Sequence, residues 1–204
     1  MVSTERLILT PIGPEHTADL VELHADPNVA RWNAGTWSEA DARRFATEMH
    51  RLWSEDRVGK WIAHRQSDGV LVGRGGLSLA VVDGVRRLEL GWALRDEMRG
   101  QGFATEIGAA GISFGFDTLG HDQIVAFTEA HNRASRAVME RLDMQFVKII
   151  YAFGLVDGLD VVRADAPFAL YRIDVAAAVP ADQSHLPPAR PPAASPTGAA
   201  QRVR

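Results

Sequence analysis

The chain contains no cysteine. That excludes a disulfide framework, thiolate metal sites and a cysteine nucleophile. Long hydrophobic runs are lacking as well: no stretch approaches the roughly 20 apolar residues of a membrane span, and the first ten residues are too polar for a secretion signal. A soluble, cytoplasmic protein without a membrane partner is therefore expected. Positive charge is in short supply, with 22 Lys and Arg against 26 Asp and Glu, a formal net charge of -4 and no basic stripe. Nucleic-acid binding has no electrostatic support in such a chain, whereas a mildly acidic surface suits cationic substrates such as amines. The seven histidines show no paired H-x-x-x-H spacing, so no metal site is expected.

The chain does have 204 residues, 46% of them hydrophobic, enough for one domain with a sizeable core. Residues 6–10 alternate as a first strand, and 14–25 read as a helix interrupted by Pro27. Ser38 is a candidate N-cap for a second helix reaching about Trp53, after an aromatic loop over 32–37. Residues 61–65 and 70–80 pair through the turn Ser67-Asp68-Gly69, and Asp83-Gly84 turns the chain into a fourth strand over 86–94. Helical spacing of Phe103, Ile107, Ala110 and Phe114 then predicts one helix over 102–119. A fifth strand over 124–128, a helix over 132–142 and strands over 145–154 and 161–173 complete the set. The strand–helix–strand unit makes the fourth and fifth strands parallel. Residues 177–204 are rich in Pro, Ala and Ser and cannot bury enough surface to fold, so a domain over 1–176 with a disordered tail is expected.

Chemistry concentrates where the fourth strand, Leu88-Glu89-Leu90-Gly91-Trp92-Ala93-Leu94, runs into Arg99-Gly100-Gln101-Gly102-Phe103-Ala104-Thr105 and a long helix begins. Glycines let the backbone approach a ligand. The helix start offers unpartnered N–H groups and a positive dipole end, which suits a pyrophosphate. The same glycines also suit a plain tight turn. On the later helix, residues 132, 135, 136 and 139 share one face, while Ala134, Ala137, Val138 and Leu142 form an apolar stripe. That pattern predicts that Asn132 and Ser135 face away from the core, and Asn132 is also a good N-cap.

Arg99-Gly100-Gln101-Gly102-Phe103-Ala104 resembles the acyl-CoA loop, Q/R-x-x-G-x-G/A, of the GNAT superfamily of acetyltransferases. The opening Thr4-Glu5-Arg6-Leu7-Ile8-Leu9, the strand Leu90-Gly91-Trp92 and the later Asn132-Arg133-Ala134-Ser135 are similar to its ribosomal-protein N-terminal acetyltransferases. The resemblance covers residues 3–173. It implies a mixed α/β fold: a mostly antiparallel sheet, splayed between its parallel fourth and fifth strands, with helices on both faces. It further implies acetyl-CoA as cosubstrate, its pantetheine along the backbone of Trp92, Ala93 and Leu94, and its pyrophosphate on N–H groups of Gly100, Gln101, Gly102, Phe103, Ala104 and Thr105. Arg99 would pair with a phosphate and Asn132 touch the pantetheine, with Arg136 on the same helix face. Ser135 would lie near the sulfur, and the acceptor wall would include Trp32, Trp37 and residues 151–160. A homodimer follows from family habit. Two departures stand out: Met139 occupies the place of the tyrosine acid found in many members, and Asp143 lies where a Gly-Phe pair is common.

In such an enzyme the amine attacks the thioester directly. A lysine-like amine with pKa near 10.4 needs more help losing its proton than an α-amine near 8. Glu89, sharing a strand face with Arg87, Gly91 and Ala93, is the leading base candidate; otherwise it is an exposed carboxylate pairing with an arginine. The acceptor stays open: a protein N-terminus, an amino sugar, a polyamine or a small drug amine. Two other readings compete. Gly100-Gln101-Gly102 followed by Glu129 at the next strand's end partly matches a nicotinamide-dependent oxidoreductase, but Thr105 replaces the third glycine and only one strand–helix–strand unit is found. A domain that binds acyl-CoA as a sensor without catalysis is the other.

Overall fold

Turn chemistry and alternation lay out the first half of the chain as antiparallel strands, and one helical crossover reverses the pattern. The computed structural model describes residues 1–32, 35–82, 84–157 and 162–175. In chain order the elements are β1 (Val2–Ser3), β2 (Leu7–Pro11), α1 (Thr17–Ala25), α2 (Pro27–Trp32), α3 (Glu39–Glu55), β3 (Lys60–Arg65), β4 (Leu71–Val82) and β5 (Val85–Leu94). They are followed by α4 (Phe103–Ser113), β6 (Gln123–Glu129), α5 (Arg133–Arg141), β7 (Gln145–Leu155) and β8 (Val162–Asp174). The sheet order is β1-β2-β3-β4-β5-β6-β8-β7. Every pairing is antiparallel except β5 with β6, which is parallel.

The core has two sides because neighbouring strand residues point to opposite faces. On one face Ile62 and Leu71 pack under α1–α3 with Leu20, Leu23, Ala42 and Ala46. On the other, Trp61, Leu77, Leu88 and Leu90 lie beneath α4 and α5 with Phe103, Ile107, Met139 and Leu142. Gly108 and Gly111 let α4 lie close, and Gly115 does the same for the turn after it, since an added Cβ would come within 2.4 Å of Leu142, 2.6 Å of Leu90 and 2.7 Å of Ile124. Ser38 caps α3 as predicted, its Oγ accepting from the Asp41 N–H at 3.2 Å.

Several expectations need correction. The helix expected over 102–119 keeps α geometry only to Ser113 and then widens into a π turn, Phe114–Thr118, in which the Leu119 N–H bonds back to the Phe114 carbonyl. The start of the aromatic loop is helical, because Pro27 opens α2 instead of merely ending α1, as proline does at a first helical turn. Met139, placed by spacing on a polar face, is 2% exposed and belongs to the core, while Ala134 of the supposed apolar stripe is exposed. α5 is rotated so that its stripe runs through Met139. Asp143 adopts φ 59, the left-handed conformation for which the commoner glycine is suited. The tail over 177–204, Asp83 of the second turn, and Asn33, Ala34 and residues 158–160 of the expected acceptor wall lie outside the described residues. β7 is an outer edge strand that exposes Phe146, Val147, Ile149, Tyr151 and Phe153.

Candidate active site

A single register pair, Glu89 with Val125, joins β5 to β6. Beyond it β5 stays paired to β4 as far as Leu94, and β6 stays paired to β8 as far as Glu129. The two strands therefore part, and the gap between them forms a cavity of about 1000 Å³. Its walls include Glu89 and Gly91–Leu94 from β5, Phe127–Glu129 from β6, Asn132 and Ser135 from α5, and the loop into α4.

That loop is shaped by two left-handed glycines, Gly100 with φ 72 and Gly102 with φ 84, a conformation most L-residues adopt only at a cost. Gly102 is the N-cap of α4 and carries no side chain to satisfy the first N–H groups. Glu106, in the first turn, would compete with an anion, but its carboxylate is held aside by the Arg6 Nε–H at 2.8 Å and the Arg6 backbone N–H at 2.8 Å. Arg6 also donates to the Gln101 carbonyl at 2.8 Å and lies 4.5 Å from the Phe103 ring centroid, so it braces the loop from outside. What remains is a helix start that borders the cavity, where the first N–H groups lack intrahelical partners.

Most of the residues singled out from sequence converge here. Trp32, Glu89, Trp92, Ala93, Leu94, Arg99, Gly100, Gly102, Phe103, Ala104, Thr105, Asn132 and Ser135 all line the cavity. The Trp92 side chain packs against the core beneath α4 and α5. Asn132 caps α5, its Oδ1 accepting from the Ser135 N–H at 3.2 Å. Arg99 donates to Asp96 at 2.9 Å and Asn28 at 3.2 Å. Three residues stand apart. Gln101 donates to the Glu97 carbonyl at 2.8 Å. Arg136 turns away, donating to Tyr171 Oη at 3.1 Å and the Ala130 carbonyl at 3.1 Å. Trp37 is packed beneath α1 and α3, its ring stacked on His24 at 3.3 Å.

Sequence reasoning missed Lys60 and Arg74, which also line the cavity. Lys60 is buried at the start of β3 and donates to Glu89 Oε2 at 2.7 Å and the Gly76 carbonyl at 2.9 Å. Ser78 donates to the same Glu89 oxygen at 2.6 Å. Glu89 is thus not an exposed carboxylate: it bonds to Lys60 and Ser78, and its charge also acts on Arg74. Burial holds the Lys60 ammonium below its ordinary pKa, with the Glu89 charge opposing that shift. Arg74 lies over Phe45 at 5.0 Å and Trp37 at 5.7 Å, and its Nε–H donates to His24 Nε2 at 3.3 Å. Desolvation lowers Arg74 to about 10. Burial, and secondarily the Arg74 charge, lowers His24 to about 3, so its imidazole is neutral at pH 7. A lysine opening the otherwise apolar run Trp61-Ile62-Ala63 was the one available signal in the sequence.

The acyl-CoA expectation can be tested on these walls. An acyl-CoA is an anion at one end and an extended, amide-bearing thiol arm at the other. The left-handed glycines and open helix start fit the first, and the strand edge of residues 91–94 across from β6 fits the second.

Known proteins agree. The model of the acetyltransferase (GNAT) domain matches residues 6–145. The chain is 28% identical to the FsC-acetyl coenzyme A-N(2)-transacetylase of Aspergillus fumigatus, over 72% of this chain and 66% of that one. It is 26% identical to the uncharacterized N-acetyltransferase YoaA of Bacillus subtilis, over 71% and 82%. Its fold is similar to that of the ribosomal-protein-S5-alanine acetyltransferase of Vibrio fischeri, with a TM-score of 0.70 at 13% identity, covering 85% of this chain and 95% of that one. A parallel β5–β6 pair that opens beside a glycine-shaped helix start, together with the matched domain model, places the chain in the GNAT family of acetyl-CoA-dependent acetyltransferases.

Proposed function

We propose that the protein transfers an acetyl group from acetyl-CoA to a primary amine in a ternary complex. The observation that carries this reading is the glycine-shaped start of α4 opening onto the gap beside residues 91–94. In it, the N–H groups from Gly100 to Thr105 take the pyrophosphate, helped by Arg99, and the backbone of Trp92, Ala93 and Leu94 takes the pantetheine arm. Asn132 orients the start of α5, and Ser135, one turn into that helix, lies beside the thioester. The amine nitrogen bonds to the carbonyl carbon as the C–S bond breaks. Its surplus proton leaves to solvent, and the departing thiolate is protonated from Ser135 or water, since Met139 supplies no acid. With its Oε2 taken by Lys60 and Ser78, Glu89 acts mainly by fixing charge in the floor of the cleft. Trp32 belongs to the acceptor wall. The likeness of opening and α5 motifs to ribosomal-protein N-terminal acetyltransferases puts a protein α-amine among the candidate acceptors.

Thiol release is the direct test. Mixing the protein with acetyl-CoA and a panel of amines, including a peptide N-terminus, an amino sugar and a polyamine, should release CoA thiol only when a suitable amine is present. Thermal stabilisation by NAD(H) with none by acetyl-CoA would overturn the reading. Stabilisation by acetyl-CoA without thiol release over the whole panel would favour the sensor.

A further inference from the structure

Glu129 ends β6 and lines the cavity, yet it has no part in the acyl-donor site above. It is only 7% exposed. The one hydrogen bond of its carboxylate among the described residues is a long one, 3.4 Å, from the Thr128 hydroxyl. Of the other charged groups on the cavity wall, Lys60 bonds to Glu89, Arg74 bonds to neutral His24 with the Glu89 charge acting on it, Arg99 bonds to Asp96, and Arg141 lies at the far end of α5 from Glu129. A buried carboxylate without a cation is costly, so the position calls for one from outside.

The surroundings define which cation fits. Phe127 lies two residues before Glu129 on the same strand face, Phe168 is its register partner on β8, and the two rings meet edge-on at 6.1 Å. Gly154 on β7 makes room for both neighbours: a Cβ there would come within 2.4 Å of the Phe168 ring and 3.2 Å of Glu129 Oε1. Phe153 and Trp32 add two more aromatic walls, Trp32 packing at 5.3 Å on His131 just past the strand. Aromatic faces attract cations that shed water readily, and they supply no hydrogen-bond partners for a polyhydroxylated or phosphorylated stem.

We infer that Glu129, walled by Phe127, Phe168, Phe153 and Trp32, is the recognition site for an alkylammonium group of the acceptor. The substrate class is an amine whose positive charge is carried on an apolar stem. This rests on the proposed acyl transfer for its meaning in catalysis, but the binding itself is measured without turnover.

The probe is n-butylammonium chloride, with 1-butanol as its neutral counterpart of similar shape, each titrated into the full chain by NMR at constant ionic strength. The ammonium should bind saturably and at least about tenfold more tightly than the alcohol. Glu129→Gln should abolish that preference while leaving CoA affinity unchanged. Without ligand, the variant should melt at the same temperature or higher, because an amide replaces an uncompensated buried charge; a carboxylate that served only the fold would instead be missed. Phe127→Leu should weaken the preference in part. Equal responses to both probes, or a Glu129→Gln variant that keeps the preference, would overturn the assignment. A protein that selects the ammonium but binds no acetyl-CoA would overturn the acyl-transfer reading and leave this site standing.

Discussion

Two glutamates on the strands that flank the opening make a natural comparison. Glu89 sits on β5 at the last register pair before the strands part, and Glu129 sits on β6 four residues beyond the other member of that pair, roughly 13 Å further along the strand direction. Glu89 is neutralised from within its own sheet. Lys60 on β3 reaches across Gly76 of β4 to meet it, and Gly91 keeps the path clear, since a Cβ there would lie 2.8 Å from Glu89 Oε1 and 3.3 Å from Lys60 Nζ. Glu129 has aromatic neighbours where Glu89 has a lysine. The same residue type is structural on one side of the gap and receptive on the other, and cross-strand neighbours alone make the difference.

The comparison presupposes an acyl donor between the two strands, and Gly102→Asp attacks that premise with the largest effect. The variant places a carboxylate against the phosphate site and should lose CoA binding altogether by calorimetry. Asp in the left-handed conformation costs only about 1 kcal/mol, and the Arg6 guanidinium, whose Nη2 is 3.3 Å from the new Cβ, offsets the added charge while keeping its pair with Glu106, so the domain should still show a cooperative melt. Unchanged CoA affinity in a folded variant would reduce the loop to a turn.

Lys60→Met takes from Glu89 its bonded ammonium and leaves it largely buried with the Ser78 hydroxyl and the Arg74 charge. Denaturant melts should show a loss of about 3–5 kcal/mol. Adding Glu89→Leu should recover most of it, because an apolar pair can replace a buried ion pair at little cost. If the double variant is no better than the single one, the pair is not what the lysine serves.

Glu89→Gln separates positioning from base catalysis. A carboxylate already bound by an ammonium and a hydroxyl makes a poor proton acceptor, so the activity loss should be less than the 10²–10⁴-fold typical of a general base and should not vary with pH. A defect that shrinks as pH rises toward the amine's own pKa, and is larger for a lysine-like acceptor than for an α-amine, would restore Glu89 as the base.

The smallest expected effect concerns His24, which holds Arg74 on the wall near Glu89. Its folded pKa of about 3 lies below the unfolded value near 6.5. Between those values the unfolded chain binds a proton that the folded chain refuses, so stability should fall steadily as pH drops from about 6.5 toward 3. In His24→Phe this part of the slope should disappear; an identical slope would assign the acid sensitivity to other groups.

How legible was this in the sequence? The β5–loop–α4 segment was, because glycine placement, alternation and helical spacing are all local signals. So was the Ser38 cap. β1 spans two residues, too few to show a period. α2 lay within a stretch whose proline suggested only a break. The outer position of β7 and the pairing of Lys60 with Glu89 depend on which strands become neighbours, and no single segment encodes that. Arg136 was assigned to the cofactor from its helix face, and the same spacing left its guanidinium free to reach Tyr171 instead. The weight of Glu129 emerged only from its burial, although its place at the strand end was visible from the start.

The single register pair between β5 and β6 has one more consequence. Sheet edges are usually a hazard, because exposed backbone groups recruit strands from other molecules. This chain keeps two such edges inside, facing each other across a gap with α5 at one end and the α4 loop at the other. In the proposed reaction a thin, flexible arm with amide groups of its own lies down there as a surrogate strand. A defect in the sheet thereby becomes a sorting device, admitting guests by thickness and by backbone-like chemistry before any side chain is consulted.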